Sequence, residues 1–161
     1  MSELVFDQDS IVGQWVASRI PHIQTSENLG DFVAIGVVNS DGNEIAGIVY
    51  NNYRHTNIEL QFASEDPKWA TPRTIGLLLS YPFIQLGVPR VTCICNKRNK
   101  RIRRFLEGVG FKNEGTIRET LPMPDGKLEN AIIYGMIRRE AERWLERVNY
   151  GKVSTVSAAS A

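Results

Sequence analysis

Residues 71–89 carry the strongest constraint on what this chain can fold into. Thr71 can cap a helix, Pro72 suits the first helical position, Gly87 follows the expected end and Pro89 lies just beyond. Ile75, Leu78, Leu79, Phe83 and Leu86 recur at helical spacing and make one apolar stripe. Pro82 falls inside that helix. Its nitrogen cannot bond the carbonyl of Leu78, so a kink is expected there. Strand-like runs stand on both sides, Asn57 to Ala63 before the helix and Val91 to Cys95 after it. A striped helix between two strands argues for a sheet with helices packed against it.

The rest of the chain extends this pattern. Asp9 or Ser10 can cap a first helix, on which Val12, Trp15, Val16 and Ile20 share a face. Asp31 to Asn39 and Ile45 to Tyr50 read as strands joined at the turn Asp41-Gly42. Lys97 to Val109 reads as a helix with Ile102, Phe105, Leu106 and Val109 inward and Gly110 as its cap. Strands near 112–120 and 128–136 meet at Pro124-Asp125-Gly126, and a helix over 137–148 buries Ile137, Ala141, Trp144, Leu145 and Val148. The order α-β-β-β-α-β-α-β-β-α predicts an α/β protein with a mixed sheet flanked by helices on both faces. The 161 residues suit one domain, expected over 1–148. Small residues without period after Lys152 predict a flexible tail at 149–161.

Charge and cysteine content exclude several classes. With 19 basic and 18 acidic residues the net charge is +1, so no overall field draws the chain to nucleic acid or membrane. Cys93 and Cys95 are too few for a disulfide framework, and no further Cys or His has zinc-site spacing, so no metal is expected. The first residues lack a signal-peptide pattern, and no apolar run approaches the roughly 18 residues of a membrane span. A cytoplasmic, reduced domain is expected, monomeric or homodimeric.

Several side chains could carry chemistry. Asn57, Glu59, Gln61 and Ala63 alternate with Ile58, Leu60 and Phe62 along one strand. A polar face on a central strand is either solvated or partnered, or it lines a cleft where Glu59 acts as a general base. The junction Ser64 to Thr74 aims backbone N–H groups and a helix N-terminus into solvent, with Lys68 and Arg73 beside it, and so offers an anion site. Six basic residues, Lys97, Arg98, Lys100, Arg101, Arg103 and Arg104, fall within eight positions. Of these Lys97, Lys100, Arg101 and Arg104 share a helical face, which is either solvated or directed at phosphates. No aromatic residue interleaves that face, which disfavours nucleic acid. Cys93 and Cys95 read as small buried groups, His22 and His55 as isolated. Tyr134 is either a core residue with a satisfied hydroxyl or a proton donor in a cleft.

The stretch from Asn99 to Arg118, with Gly110-Phe111 and Glu114-Gly115, resembles a signature of the GNAT acyltransferases, and most of all of their RimJ/RimL-type branch. The run Tyr81 to Thr92 is similar to GNAT proteins common in phages and prophages, for which the host cytoplasm would be the location. The resemblance covers about residues 10–148. It implies a mostly antiparallel mixed sheet, splayed between two central strands, with acetyl-CoA in the V between 57–63 and 91–95. It implies that Phe62, Ala63 and Ser64 bond the pantetheine through backbone, that Lys68, Trp69, Thr71, Arg73 and Thr74 hold the pyrophosphate, that Asn99 reaches the cofactor and that Phe105 packs beside it. Lys100, Arg101 and Arg104 then lie near its phosphates. Two departures stand out. The usual glycine-bearing phosphate loop is here Trp69-Ala70-Thr71-Pro72-Arg73-Thr74, whose Cβ atoms crowd a close approach. The family serine that can protonate the leaving thiolate is Ile102.

The implied activity is transfer of an acetyl group from acetyl-CoA to an amine by direct attack in a ternary complex. The amine belongs to a protein N-terminus, a lysine or a small molecule. An ammonium near pKa 10 must first lose a proton, for which Glu59 is the candidate base, with Gln61 orienting substrate or water and Tyr134 a candidate acid. Backbone N–H groups of the splayed strand would steady the oxyanion. The rival expectations are a catalytically weak CoA-binding protein and an adaptor that binds nucleic acid or a partner through the basic helix.

Overall fold

The computed structural model describes residues 2–148; the tail expected at 149–161 lies outside them. Its strands are β1 (Glu3–Val5), β2 (Phe32–Val38), β3 (Glu44–Arg54), β4 (Asn57–Ser64), β5 (Arg90–Asn96), β6 (Lys112–Pro122) and β7 (Leu128–Ile137). The α-helices are α1 (Asp9–Ala17), α2 (Pro72–Ser80), α3 (Lys100–Val109) and α4 (Arg138–Leu145). The strands form one seven-stranded sheet in the order β1-β2-β3-β4-β5-β7-β6. Every pairing is antiparallel except β4 with β5. The α/β class, the mixed and mostly antiparallel sheet and the helices on both faces agree with the sequence reading. The short β1 was not foreseen, because three residues carry no readable period.

Helix α1 covers one face alone. Val12, Val16 and Ala17 pack there with Ala34, Val49 and Ala63. Gly36 and Gly47 sit opposite each other in the β2–β3 register. A Cβ on Gly47 would stand 2.7 Å from Val16 Cγ2, so this glycine pair lets the helix lie close on the sheet. Asp9 does not cap α1 as expected. Its carboxylate accepts from the Ala34 N–H at 3.0 Å and ties the helix start to β2.

The other face carries α2, α3 and α4 over the larger core, which includes Ile48, Tyr50, Leu60, Leu78, Phe83, Leu106, Tyr134 and Met136. Thr71 caps α2, with Pro72 at its first position, as read from the sequence. The kink at Pro82 takes the form of a π-helical turn over Tyr81–Leu86, ended by Gly87 at φ +73°. The proline removes one helical N–H, and the widened turn absorbs the missing bond. Among the described residues no helix is long and apolar enough to cross a membrane.

Candidate active site

The feature that makes a site is the failure of β4 and β5 to stay together. They pair at Ile58 with Val91 and at Glu59 with Thr92, and the ladder stops there. Strand β4 goes on along β3 as far as Ser64, and β5 goes on along β7 as far as Asn96. Beyond Glu59 the two strands therefore diverge, and the β5-facing edge of β4 is released from the sheet. A cleft of about 530 Å³ opens between them, lined by Gln61 to Glu65 from β4 and the following turn and by Cys93 to Asn96 from β5.

Further wall comes from around the start of α3, from the residues after α1 and from Met123 in the turn between β6 and β7. Asn99, Arg101 and Ile102 reach it from the start of α3, and Arg98 from the turn before. Arg19, Ile20, Pro21 and His22, which follow α1, close the opposite side. Arg19 is fixed in place, its Nε donating to Glu65 Oε1 at 2.8 Å and its guanidinium lying 3.8 Å from the centre of the Trp15 ring. Burial lowers the pKa of His22, so the imidazole is neutral near pH 7. The sequence reading set His22 aside as isolated and did not single out Arg19. Their approach depends on how α1 docks, which no local pattern encodes.

The polar face of β4 divides between floor and wall. Gln61 is buried in the cleft wall, with its Nε2 at 3.4 Å from Asn51 Oδ1, and Asn51 in turn donates to the Leu29 carbonyl at 3.0 Å. Glu59 is half-buried at the last paired position, at the foot of the V, and its side chain is not part of the cleft wall. Its carboxylate makes no hydrogen bond or ion pair with the described residues. Beside it Thr92 donates to Asn57 Oδ1 at 2.7 Å and accepts from Arg90, which is paired with Glu114.

Tyr134 sits elsewhere. It faces α3 with no exposed surface, donating to Glu107 Oε2 at 2.5 Å and accepting from Arg103 Nε at 3.1 Å. Burial, then the Glu107 carboxylate, holds its pKa above the usual range. This is the core residue with a satisfied hydroxyl, and the expectation of a proton donor in the cleft is corrected. Cys93 and Cys95 are buried and unbridged, as read. Burial pushes the Cys95 thiol up to about 11 and Cys93 higher still, so neither is a nucleophile at neutral pH.

The expected phosphate loop offers an anion little backbone. Its backbone donors are mostly spent within the loop. Lys68 N donates to Asp66 Oδ1, Trp69 N to the Asp66 carbonyl, Thr71 N to the Trp69 carbonyl and Thr74 N to Thr71 Oγ1. Pro67 and Pro72 have no N–H to give. The Arg73 N–H and the exposed Lys68 and Arg73 side chains remain for an anion. Trp69 turns inward, 5% exposed, with its ring centre 6.2 Å from that of Phe62 and 5.6 Å from that of Phe105. Phe105, half-buried, completes this aromatic group.

On α3, Asn99 caps the helix through Oδ1, which accepts from Ile102 N at 3.2 Å, while the residue also lines the cleft. Of the basic face, Arg101 reaches the cleft; Lys100 and Arg104 are exposed outside it. Phe62, Ala63 and Ser64 all lie on the opened edge of β4. The residues present fit an acyl thioester on a pantetheine arm. An extended chain bearing amides can bond the free β4 edge as a strand would, and Arg98 and Arg101 place cations at the same opening. At the phosphate end the Arg73 N–H and the Lys68 and Arg73 side chains are what remains.

No protein-family profile matches the chain, and no curated protein matches it. Solved structures do. It is similar to a putative acetyltransferase from T. thermophilus with a TM-score of 0.69 and 22% identity, over 91% of this chain and 90% of that one. It is similar to a ribosomal-protein-S5-alanine acetyltransferase from Vibrio fischeri with a TM-score of 0.65 and 16% identity, over 85% and 93%. A mutant form of spermidine N-acetyltransferase SpeG from Vibrio cholerae aligns with a TM-score of 0.68 and 16% identity, over 87% and 95%. The fold of this chain is thus the fold of these acetyltransferases.

Proposed function

We propose that the protein is an N-acyltransferase that moves an acetyl group from acetyl-CoA to an amine, as a GNAT enzyme of RimJ/RimL-like type. One observation carries the reading: β4 leaves β5 after two paired positions and exposes a strand edge inside a walled cleft. The thioester supplies the activated acyl group. The edge of β4 at Phe62, Ala63 and Ser64 holds the arm, Asn99 and Arg101 hold its outer part, and Lys68 and Arg73 meet the phosphates. In the transfer the amine nitrogen bonds the acyl carbon, the carbon–sulfur bond breaks, the amine proton passes to a base and the thiolate leaves.

Glu59 is the proposed base. It stands at the foot of the V without a partner among the described residues, and Gln61, two residues on along the same face, connects it to the cleft through water. A second candidate rests on a specific observation, since His22 is in the cleft wall and neutral. Tyr134 plays no part, and with Ile102 at the family's serine position the thiolate takes its proton from water. The wall carries Arg19, Arg98 and Arg101 against Glu65. That balance favours an amine on a protein N-terminus over a polycation such as spermidine, and the protein is placed in the cytoplasm with its thiols free. The spent backbone donors of residues 66–74 favour one alternative, a weak catalyst that still binds CoA.

Thiol release from acetyl-CoA, measured with N-terminal peptides, lysine and polyamines, tests the reading. Glu59→Gln should cut turnover by about 10²- to 10⁴-fold while leaving acetyl-CoA affinity intact. If His22→Ala has that effect instead, the base is His22. Binding without turnover of any amine would leave the CoA-binding alternative.

A further inference from the structure

We propose that the apolar cavity behind Phe62 and Cys93 is an acyl-chain subsite, so that the protein prefers a short-chain acyl donor to acetyl-CoA. This rests on the reading that the cleft holds a coenzyme A thioester. The cavity has a volume of about 50 Å³ and lies between the sheet and helices α2 and α3. Phe62 and Cys93 line both the cavity and the cleft. They come from β4 and β5, the two strands that part, and their side chains point to the helix side of the opening. The partition between the two spaces is therefore made of side chains, one small and one half-buried, and not of paired backbone.

Nothing in the cavity wants water. Leu60, Ile75, Leu78 and Leu106 form its walls. The Tyr50 hydroxyl, which also faces this core, is taken by the Leu78 carbonyl at 2.7 Å. Cys93 is buried and unbridged, a protonated wall and not a reactive one. Apolar cavities of this kind stay dry and take up apolar guests. Their lining also lacks contact atoms on the empty side, which a guest restores. The volume corresponds to about three water-sized spheres of roughly 15 Å³, enough for two or three methylene-sized groups. An acetyl group that reaches Phe62 and Cys93 leaves the space empty, and a butyryl group fills it. Each methylene moved from water into such a space is worth about fourfold in binding.

The test compares acetyl-, propionyl-, butyryl- and octanoyl-CoA with one amine, by kcat/KM and by equilibrium titration. Butyryl-CoA should exceed acetyl-CoA by about 15-fold in both, from two methylenes at about fourfold each, and octanoyl-CoA should fall back for want of room. Ile75→Phe, which fills the cavity from α2, should bring the butyryl-to-acetyl ratio to about one. The wild-type donor series decides the matter even if that variant does not fold. Acetyl-CoA equal to or better than butyryl-CoA overturns the subsite and leaves the acyltransferase reading standing. If no acyl-CoA of any length binds, both are overturned.

Discussion

Replacing Glu44 with glutamine should remove a pH dependence that the fold imposes on itself. Glu44 opens β3, and its carboxyl lies against α1 over the glycine pair. Its Oε2 would stand 3.1 Å from a Cβ on Gly47 and 3.6 Å from one on Gly36. That oxygen is buried with no hydrogen-bond partner. Burial pushes the pKa of Glu44 up to about 7, with Arg19 pulling the other way. An unfolded glutamate titrates near 4.3, so the folded protein holds this proton more tightly than the unfolded chain does. The stabilisation is present in full below about pH 4 and is lost as pH rises through about 7. The whole shift would be worth about 4 kcal/mol at 1.36 kcal/mol per unit. Solvent reaches the rest of the side chain and Arg19 offsets part of the penalty, which leaves about 1–2 kcal/mol. Urea unfolding of wild type and Glu44→Gln at pH 5 and pH 8 measures it. The wild type should lose about 1–2 kcal/mol relative to the variant across that range. Parallel stability curves, or a wild type that gains on the variant as pH rises, would refute the reasoning.

Three further outcomes follow from the packing and the site. Tyr134→Phe strips a hydroxyl held by Glu107 and Arg103, so it should cost about 1 kcal/mol in unfolding measurements and leave turnover unchanged; a large loss of turnover at unchanged stability would return Tyr134 to the reaction. Arg73→Glu reverses one of the two side-chain charges left at the head of α2, and calorimetry should show acetyl-CoA bound about tenfold more weakly or worse; unchanged affinity would move the phosphates elsewhere. Gly47→Ala drives a methyl to 2.7 Å from Val16 and should cost about 1–3 kcal/mol by loosening α1, with a matching fall in Tm; a neutral result would mean that α1 shifts freely on the sheet.

Much of this architecture was legible because its signals are local. The alternation along Asn57–Ala63 and the helical stripe from Ile75 to Leu86 each declare their element within a few residues. The marks at Thr71-Pro72 and Gly87 bound α2, and Pro82 located the break, although a π-turn and a simple kink read alike from sequence. The site was legible only where it follows from those elements. A strand read at 57–63, the junction starting at Ser64 and a helix read from Lys97 bring Gln61, Ala63, Ser64, Asn99 and Arg101 to the cleft. Arg19 and His22 were not found, because they reach it through the seating of α1 on Gly36 and Gly47. The absence of glycine from residues 69–74 was visible, and its consequence is a loop that bonds to itself. Trp69 was expected at the pyrophosphate, and Tyr134 was left open between core and cleft, for one reason. A residue type at a spacing does not say which way the side chain turns, and both turn into the core.

The most direct measurement is the crystal structure of the protein grown with coenzyme A. The account predicts an extended pantetheine arm bonded to the edge of β4 at Phe62 to Ser64, opposite Cys93 to Asn96, with its phosphates near Lys68 and Arg73. Coenzyme A bound away from the diverging strands, or no binding at millimolar concentration, would contradict it.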